Sequence, residues 1–372
     1  MADKSVSTDS LAMPTDDTAY TGEKFKIAVV GLGGIAQTHM KAYAAMPHVE
    51  VVAGCDIDPA RRKHFTETWG VDKTFDSWQA MYDAVDIDGV NVCTPNYVHS
   101  QPAIDALEHG YHVMVEKPTA ITPAECQAMV DAAEKNGKLL SVGFQYRFHP
   151  KTAYLKRMAD AGVYGDLMFV RCQALRRRGI PNWGVFGHKD KQGGGPMIDL
   201  GVHILEAAHY LMGSPKPVAA VGNTWTYHGD KPDATVSHWS GWDHTTYTVE
   251  DLAIGHVRFE NGAVLHIEAS FVAHIEYDVW DINAMGTKGG FNWNKPAVYK
   301  DEADTMTNVE PHWLPKTGGF DDIHGAKQRS WVDSCMNGTP QMADGRAGLD
   351  VQKMLDGVYR SAEAGGAEVA ID

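Results

Sequence analysis

Residues 25–36 read FKIAVVGLGGIA, an apolar run that breaks into glycines and resumes as a helix-forming stretch. Its six leading residues fit a strand buried on both faces. After the glycines, Ile35, Tyr43 and Met46 recur at helical spacing. Gly31, Gly33 and Ala36 make G-x-G-x-x-A at this strand-to-helix junction. The first glycine permits a tight turn, Gly33 lets a pyrophosphate approach the backbone, and Ala36 lets helix and strand pack closely. The helix start at Gly34 and Ile35 offers free N–H groups and the positive end of the helix dipole. Asp56 closes the next strand, VEVVAGCD. A carboxylate there can bond both ribose hydroxyls and repels a 2′-phosphate, which predicts NAD rather than NADP. The alternative for Asp56 is a plain acid at a helix start.

Strands and helices go on alternating. Asp58 and Pro59 read as the cap and first residue of a helix. GVNVCTP is a strand, and Gly110 closes the helix that follows it. YHVMVEKP is another strand. TPAE at 122–125 is a capping box whose helix runs to Asn136 and stops at Gly137. KLLSVGF is a further strand. This order predicts an α/β fold: a doubly wound Rossmann domain with a parallel sheet over residues 24–145.

Beyond it, LMFVRCQA, PVAAVGNTW, DLAIGHVRF, AVLHIEASF and VWDINAMG are strand candidates with few helices between them. ENG at 260–262 marks a hairpin. Residues 146–372 therefore predict an α+β domain with a mainly antiparallel open sheet. Its helices fall near 197–212, 324–337 and 346–363, the last two able to pack back on the first domain. Residues 1–23, polar and without an apolar core, read as a mobile tail and not a secretory signal.

The 372 residues carry a net charge of −15, which argues against nucleic acid as main partner. No apolar run approaches the ~20 residues of a membrane helix, so a cytoplasmic protein is expected. Five scattered cysteines form no C-x-x-C pair and suit buried thiols in a reducing compartment. Eighteen histidines, among them His238, His244, His256, His266 and His274, show neither H-E-x-x-H nor zinc spacing, and no metal is expected.

GGGPMIDLGVH at 193–203 runs a glycine loop into an apolar helix. Residues i and i+4 share a helix face, about 5–6 Å apart at their β-carbons. Asp199 and His203 can therefore point together into a cleft, with the glycines passing close to a ligand. The alternative is an aspartate capping its own helix beside a core histidine.

The chain resembles the Gfo/Idh/MocA family of glucose–fructose oxidoreductases and inositol dehydrogenases. The likeness rests on GLGGIAQTH at 31–39, CTPNYVH at 93–99, EKP at 116–118 and DLGVH at 199–203, and covers nearly everything after the tail. It implies that Lys117, Asp199 and His203 form the catalytic set beside nicotinamide and a substrate hydroxyl. It also implies that Thr94, Pro95, Asn96, His99, Glu116 and Gln145 border the cofactor, and that Pro118 follows a cis bond. For Pro95 and Asn96 the alternative is a turn that merely ends a strand. His203, with an ordinary pKa near 6.5, is expected to take the hydroxyl proton. Lys117 would polarise the oxygen, and Asp199 would orient substrate or hold the His203 imidazolium. A lysine base is the rival scheme.

Arg147 reads equally as a substrate contact or a structural ion pair. Arg176, in the run Arg176–Arg178, and Trp183 suggest a lid that binds and stacks on a carbohydrate; a solvated charge run is the alternative. The leading expectation is an NAD-dependent oxidoreductase acting on a secondary alcohol of a sugar, glycoside, anhydrosugar or cyclitol. The alternatives are a glycosidase working by transient oxidation and a non-catalytic NAD sensor. The resemblance further implies a homodimer or homotetramer.

Overall fold

The computed structural model describes residues 22–372 apart from 236, 238, 317 and 318, so the tail at 1–21 and His238 lie outside the described residues. The first half builds β1 (Phe25–Val30), α1 (Gly34–Ala44), β2 (Val49–Cys55), α2 (Pro59–Trp69), β3 (Thr74–Phe75) and α3 (Trp78–Ala84). It continues with β4 (Gly89–Val92), α4 (Ser100–Glu108), β5 (His112–Val115), α5 (Pro123–Asn136) and β6 (Leu140–Val142). The strands form one parallel sheet in the order β3-β2-β1-β4-β5-β6. This is the doubly wound arrangement expected, with the reversal beside β1 placing a crevice at the carboxyl edge.

Local chemistry sets the helix ends. Asp58 accepts the Ala60 N–H at 2.8 Å ahead of Pro59, and Gly70 ends α2 in the left-handed region. Thr122 and Glu125 exchange both bonds of a capping box, and Gly137 closes α5. At Gly31, φ is +87° and an added Cβ would lie 2.7 Å from the Cys93 carbonyl and the Thr94 nitrogen. Only glycine lets the end of β1 lie this close to the loop after β4.

The second half adds α6 (Pro150–Asp160), β7 (Leu167–Leu175), α7 (Lys189–Gln192), α8 (Val202–Leu211), β8 (Pro217–Trp225), β9 (Leu252–Phe259) and β10 (Val264–Ser270). There follow β11 (Val279–Gly286), β12 (Gly289–Asn292), β13 (Ala297–Glu302), β14 (Thr305–Val309), α9 (Phe320–Asn337), α10 (Gly345–Glu363) and β15 (Val369–Ala370). The sheet order is β14-β13-β12-β11-β7-β10-β9-β8-β15, antiparallel except where β7 and β10 run parallel. Alternate residues Val170, Cys172, Ala174, Leu265 and Ile267 are buried on the face that α8 covers, while α10 lies over β8 and β9. Arg171, Gln173, His256, His266 and Glu268 line the opposite face, exposed or half-buried. The five cysteines are free thiols, and Cys335 alone among them is only partly buried.

The helix expected at 197–212 is not one α-helix. Residues Met197–Gly201 make a π-turn and the α-helix begins at Val202. Pro196 cannot donate, and the Glu250 carboxylate takes the Gly195 and Met197 N–H groups at 2.8 and 3.2 Å. Gly194 and Gly195 are pressed against the Tyr359 hydroxyl and the Glu250 carbonyl, which leaves no room for a Cβ at either. Three short strands, β12 to β14, escaped the sequence reading. The β13–β14 turn uses Ala303 and Asp304 at φ +50° and +58°, with no glycine to announce it.

Both late helices return to the first half. Trp331 of α9 packs edge-on against Phe25, with ring centroids 6.0 Å apart. The α10 helix packs on both α5 and β8, so it joins the two sheets.

Candidate active site

The carboxyl edge of the parallel sheet brings together the ends of β1, β2, β4 and β5. Gly33 precedes α1 without a side-chain cap, no acid sits in its first turn, and nothing lies within 4 Å of a Cβ built on Gly34. The first intrahelical bond is Gln37 N–H to Gly33 O, so the N–H groups of Gly34 and Ile35 stay open for an anion. Asp56 is nearly buried and accepts from Leu32 N–H and Asp58 N–H, both at 2.9 Å. It thus braces the glycine loop, while Asp58 caps α2. Arg61 Nη1 lies 3.5 Å from the same carboxylate. Thr94 Oγ1 and Gln145 Oε1 are buried with no partner among the described residues. An open helix end, a carboxylate at the end of β2 and two orphaned acceptors fit a dinucleotide.

Other expected cofactor contacts are spoken for. His99 is buried between carbonyls, with Nδ1 2.7 Å from Pro118 O and Nε2 2.8 Å from Thr94 O. Asn96 donates Nδ2 to Gln192 O at 2.9 Å, tying this edge to the glycine loop, whereas Pro95 is exposed. Glu116 turns inward: Oε1 meets Lys327, and Oε2 accepts the Lys117 N–H at 3.2 Å. It therefore does not line the crevice. The Lys117–Pro118 bond is cis.

Lys117 and Asp199 come together from the two halves of the chain. Lys117 Nζ donates to Asp199 Oδ1 at 3.2 Å and to its main-chain oxygen at 3.1 Å. The Asp199 carboxylate pairs with Lys117 through Oδ1, and no hydrogen bond joins it to His203 among the described residues. The third Lys117 N–H has no partner among the described residues. His203 makes no hydrogen bond among them either, and its ring lies 5.5 Å from Tyr146 and 6.2 Å from Trp280. Burial, helped by the Lys117 ammonium, holds its pKa well below 6.5 and keeps the imidazole neutral.

Of the two readings of Arg147, the structure shows the ion pair. The side chain is buried against Glu206 and the Met342 carbonyl, with its guanidinium 4.5 Å from the Tyr210 ring centre. The arginine run divides. Arg176 bonds Gly179 O, stacks 4.8 Å over Trp239 and lies within electrostatic reach of Asp199. Arg177 and Arg178 turn to Glu276 O and His228. Trp183 stacks on Trp239 at 5.2 Å, beside the ring that Arg176 covers, and is 54% exposed. Tyr146, Trp280 and Trp239 were missed in the sequence. Their one signal is abundance of aromatics, which does not separate core from cleft.

His39, His99, His203 and His324 all have pKa values pushed below 6.5, each chiefly by burial. The unfolded chain therefore binds more protons below that value. Their contribution to stability is present above it and is lost as pH falls from about 7 to about 5. Thermal melts across that range should show a falling midpoint.

The oxidoreductase family model with an NAD-binding Rossmann fold matches residues 25–144, and the GFO/IDH/MocA C-terminal domain model matches 152–292. D-glucoside 3-dehydrogenase of Escherichia coli is 33% identical over 350 residues, covering 94% of this chain and 98% of that protein. Levoglucosan dehydrogenase of Pseudarthrobacter phenanthrenivorans is 29% identical, covering 76% of this chain and 78% of that protein. In fold, the chain is similar to a levoglucosan dehydrogenase solved with NADH and levoglucosan: TM-score 0.81, 24% identity, covering 94% of this chain and all of the other. The parallel sheet is thus an NAD-binding Rossmann domain, and the chain belongs to the GFO/IDH/MocA family of oxidoreductases.

Proposed function

We propose that the protein is an NAD-dependent dehydrogenase that oxidises a secondary alcohol of a sugar, glycoside, anhydrosugar or cyclitol. The meeting of Lys117 and Asp199 at 3.2 Å, beside an unpartnered neutral His203, carries this reading. The relatives named as sugar dehydrogenases support the substrate class.

Gly33, Gly34, Ile35 and Asp56 would hold the adenosine and pyrophosphate end of the cofactor, with Thr94 and Gln145 nearer its nicotinamide. When bound, NAD supplies the acceptor for the hydride that leaves the carbinol carbon. His203 accepts the hydroxyl proton on a free ring nitrogen. Lys117 gives its remaining N–H to the same oxygen and stabilises the negative charge that develops there. Asp199 fixes the ammonium through two acceptors, so that the third N–H has a defined direction. Tyr146 and Trp280 offer aromatic faces beside His203 for the apolar side of a ring. Arg176 supplies hydroxyl-binding donors, and Trp183 forms part of the outer wall.

A spectrophotometric screen of sugars, glycosides and inositols with NAD should find a compound that gives a lasting rise in NADH. Lys117→Ala and His203→Ala should each lower that turnover at least ~100-fold. Retained turnover in either variant, or cleavage of a glycoside without net NADH, would sink the reading. Asp56→Ala should shift preference toward NADP, because the Arg61 guanidinium, 3.5 Å from the carboxylate, is then free for a 2′-phosphate. The uncovered face of the larger sheet supports a homodimer or homotetramer. Light scattering should return a mass of two or four chains; a monomer at micromolar concentration refutes it.

A further inference from the structure

Behind Lys117 lies a set of ionisable side chains that the reaction above leaves unused. Lys327, on α9, is 1% exposed. Its Nζ faces Glu116 Oε1, His39 Nε2 at 3.1 Å and His324 Nδ1 at 3.1 Å. These three ligand atoms lie within 4.8 Å of one another, a grouping that would suit a metal ion. The cation they surround is the lysine's own ammonium.

Neighbouring bonds fix the tautomers. Asn91 donates Nδ2 to Met114 O at 3.2 Å, so its Oδ1 faces His39 Nδ1 at 2.8 Å and the Tyr43 hydroxyl at 3.0 Å. His39 therefore carries its proton on Nδ1, and Nε2 is a bare acceptor. The 3.0 Å approach of His39 Nε2 to Glu116 Oε1 is that of two acceptors sharing one ammonium. With Nδ1 accepting from Lys327, the neutral His324 ring carries its proton on Nε2. Three acceptors thus meet three N–H bonds.

Glu116 passes this grip on. Its Oε2 accepts the main-chain N–H of Lys117 at 3.2 Å. A Cβ on Gly143 would lie 2.8 Å from Oε1, so the carboxylate is confined against the end of β6. We propose that Lys327 is a positioning residue for the reaction: it keeps Glu116 ionised and in place, and Glu116 fixes the backbone from which Lys117 reaches the cleft. The proposal rests on Lys117 acting as assigned under the proposed function.

Electrostatics agrees with the geometry. Burial pushes the Glu116 carboxyl up, but Lys327, together with His39 and His324, outweighs it and holds the group well below the ordinary carboxylate range. The groups facing Glu116 are Lys327 and His324 from α9, His39 and Tyr43 from α1, Cys93 after β4, and Lys117 beside it; its charge also reaches His99 and His203. Removing the ammonium alone strands a carboxylate in a dry interior, where its proton affinity moves toward neutral pH.

Steady-state kinetics on the wild type, Lys327→Met, Glu116→Gln and the double variant test this, using a substrate identified by the screen. Lys327→Met should lower kcat roughly 10- to 100-fold and add to its pH profile an ionisation that the wild type lacks. The double variant, with no stranded charge, should lose that ionisation and regain most of the single-variant loss. An unchanged kcat and profile in Lys327→Met overturns the proposal. So does a folded double variant as slow as the single one. Should the variants not fold, the wild type decides by nitrogen NMR of labelled histidine: His39 protonated on Nδ1 and His324 on Nε2 support the tripod, and the opposite tautomer at either ring refutes it. Lys117→Ala is the control: if it retains turnover, the proposed function has failed, whatever Lys327 does.

Discussion

The site depends on an ion pair between two independently built sheets. Lys117 leaves the end of a parallel strand, and Asp199 sits in a turn packed on a largely antiparallel sheet; they meet at 3.2 Å. Neither half places this pair alone. The two side chains are only 17% and 10% exposed, so the desolvation of both charges offsets much of their Coulomb attraction. Its value is directional, because two acceptors on Asp199 leave one lysine N–H for a substrate oxygen.

Buried polar contacts hold both partners from behind. On the Asp199 side, Glu250 receives the Gly195 and Met197 N–H groups and the Tyr359 hydroxyl, which pins the turn to α10. On the Lys117 side, Glu116 and Lys327 do the corresponding work from α9. Arg147 and Glu206 lock the junction between the halves. Such pairs are strongly destabilising to break one partner at a time, so they define a geometry more than they add net stability.

The Rossmann half was readable because its rules are local. A glycine-rich turn, helix caps and an acid at the end of the second strand each act over a few residues. The same holds for the strands β7 to β11, whose apolar alternation matches the sheet that buries one face. The strands β12 to β14 were not readable. They are short, partly polar and joined by an Ala303–Asp304 turn without glycine. The π-turn at Met197–Gly201 was hidden for a related reason. It depends on Glu250, some fifty residues away, which meets N–H groups that a regular helix start would present differently.

The sequence by itself therefore determined the fold class and the nucleotide-binding edge, and its resemblance to a known family singled out Lys117, Asp199 and His203 as candidates. Periodicity, capping and motif spacing are properties of neighbouring residues. Only the tertiary structure decided which acceptor each polar group would find. His99 and Glu116, expected to border the cofactor, are buried braces; Arg147, open between substrate contact and ion pair, is a buried ion pair; and Lys327, which nothing in the sequence singled out, is 1% exposed. A buried charge must be matched by whatever the fold brings within about 3 Å, and those partners come from segments as far as 288 residues apart.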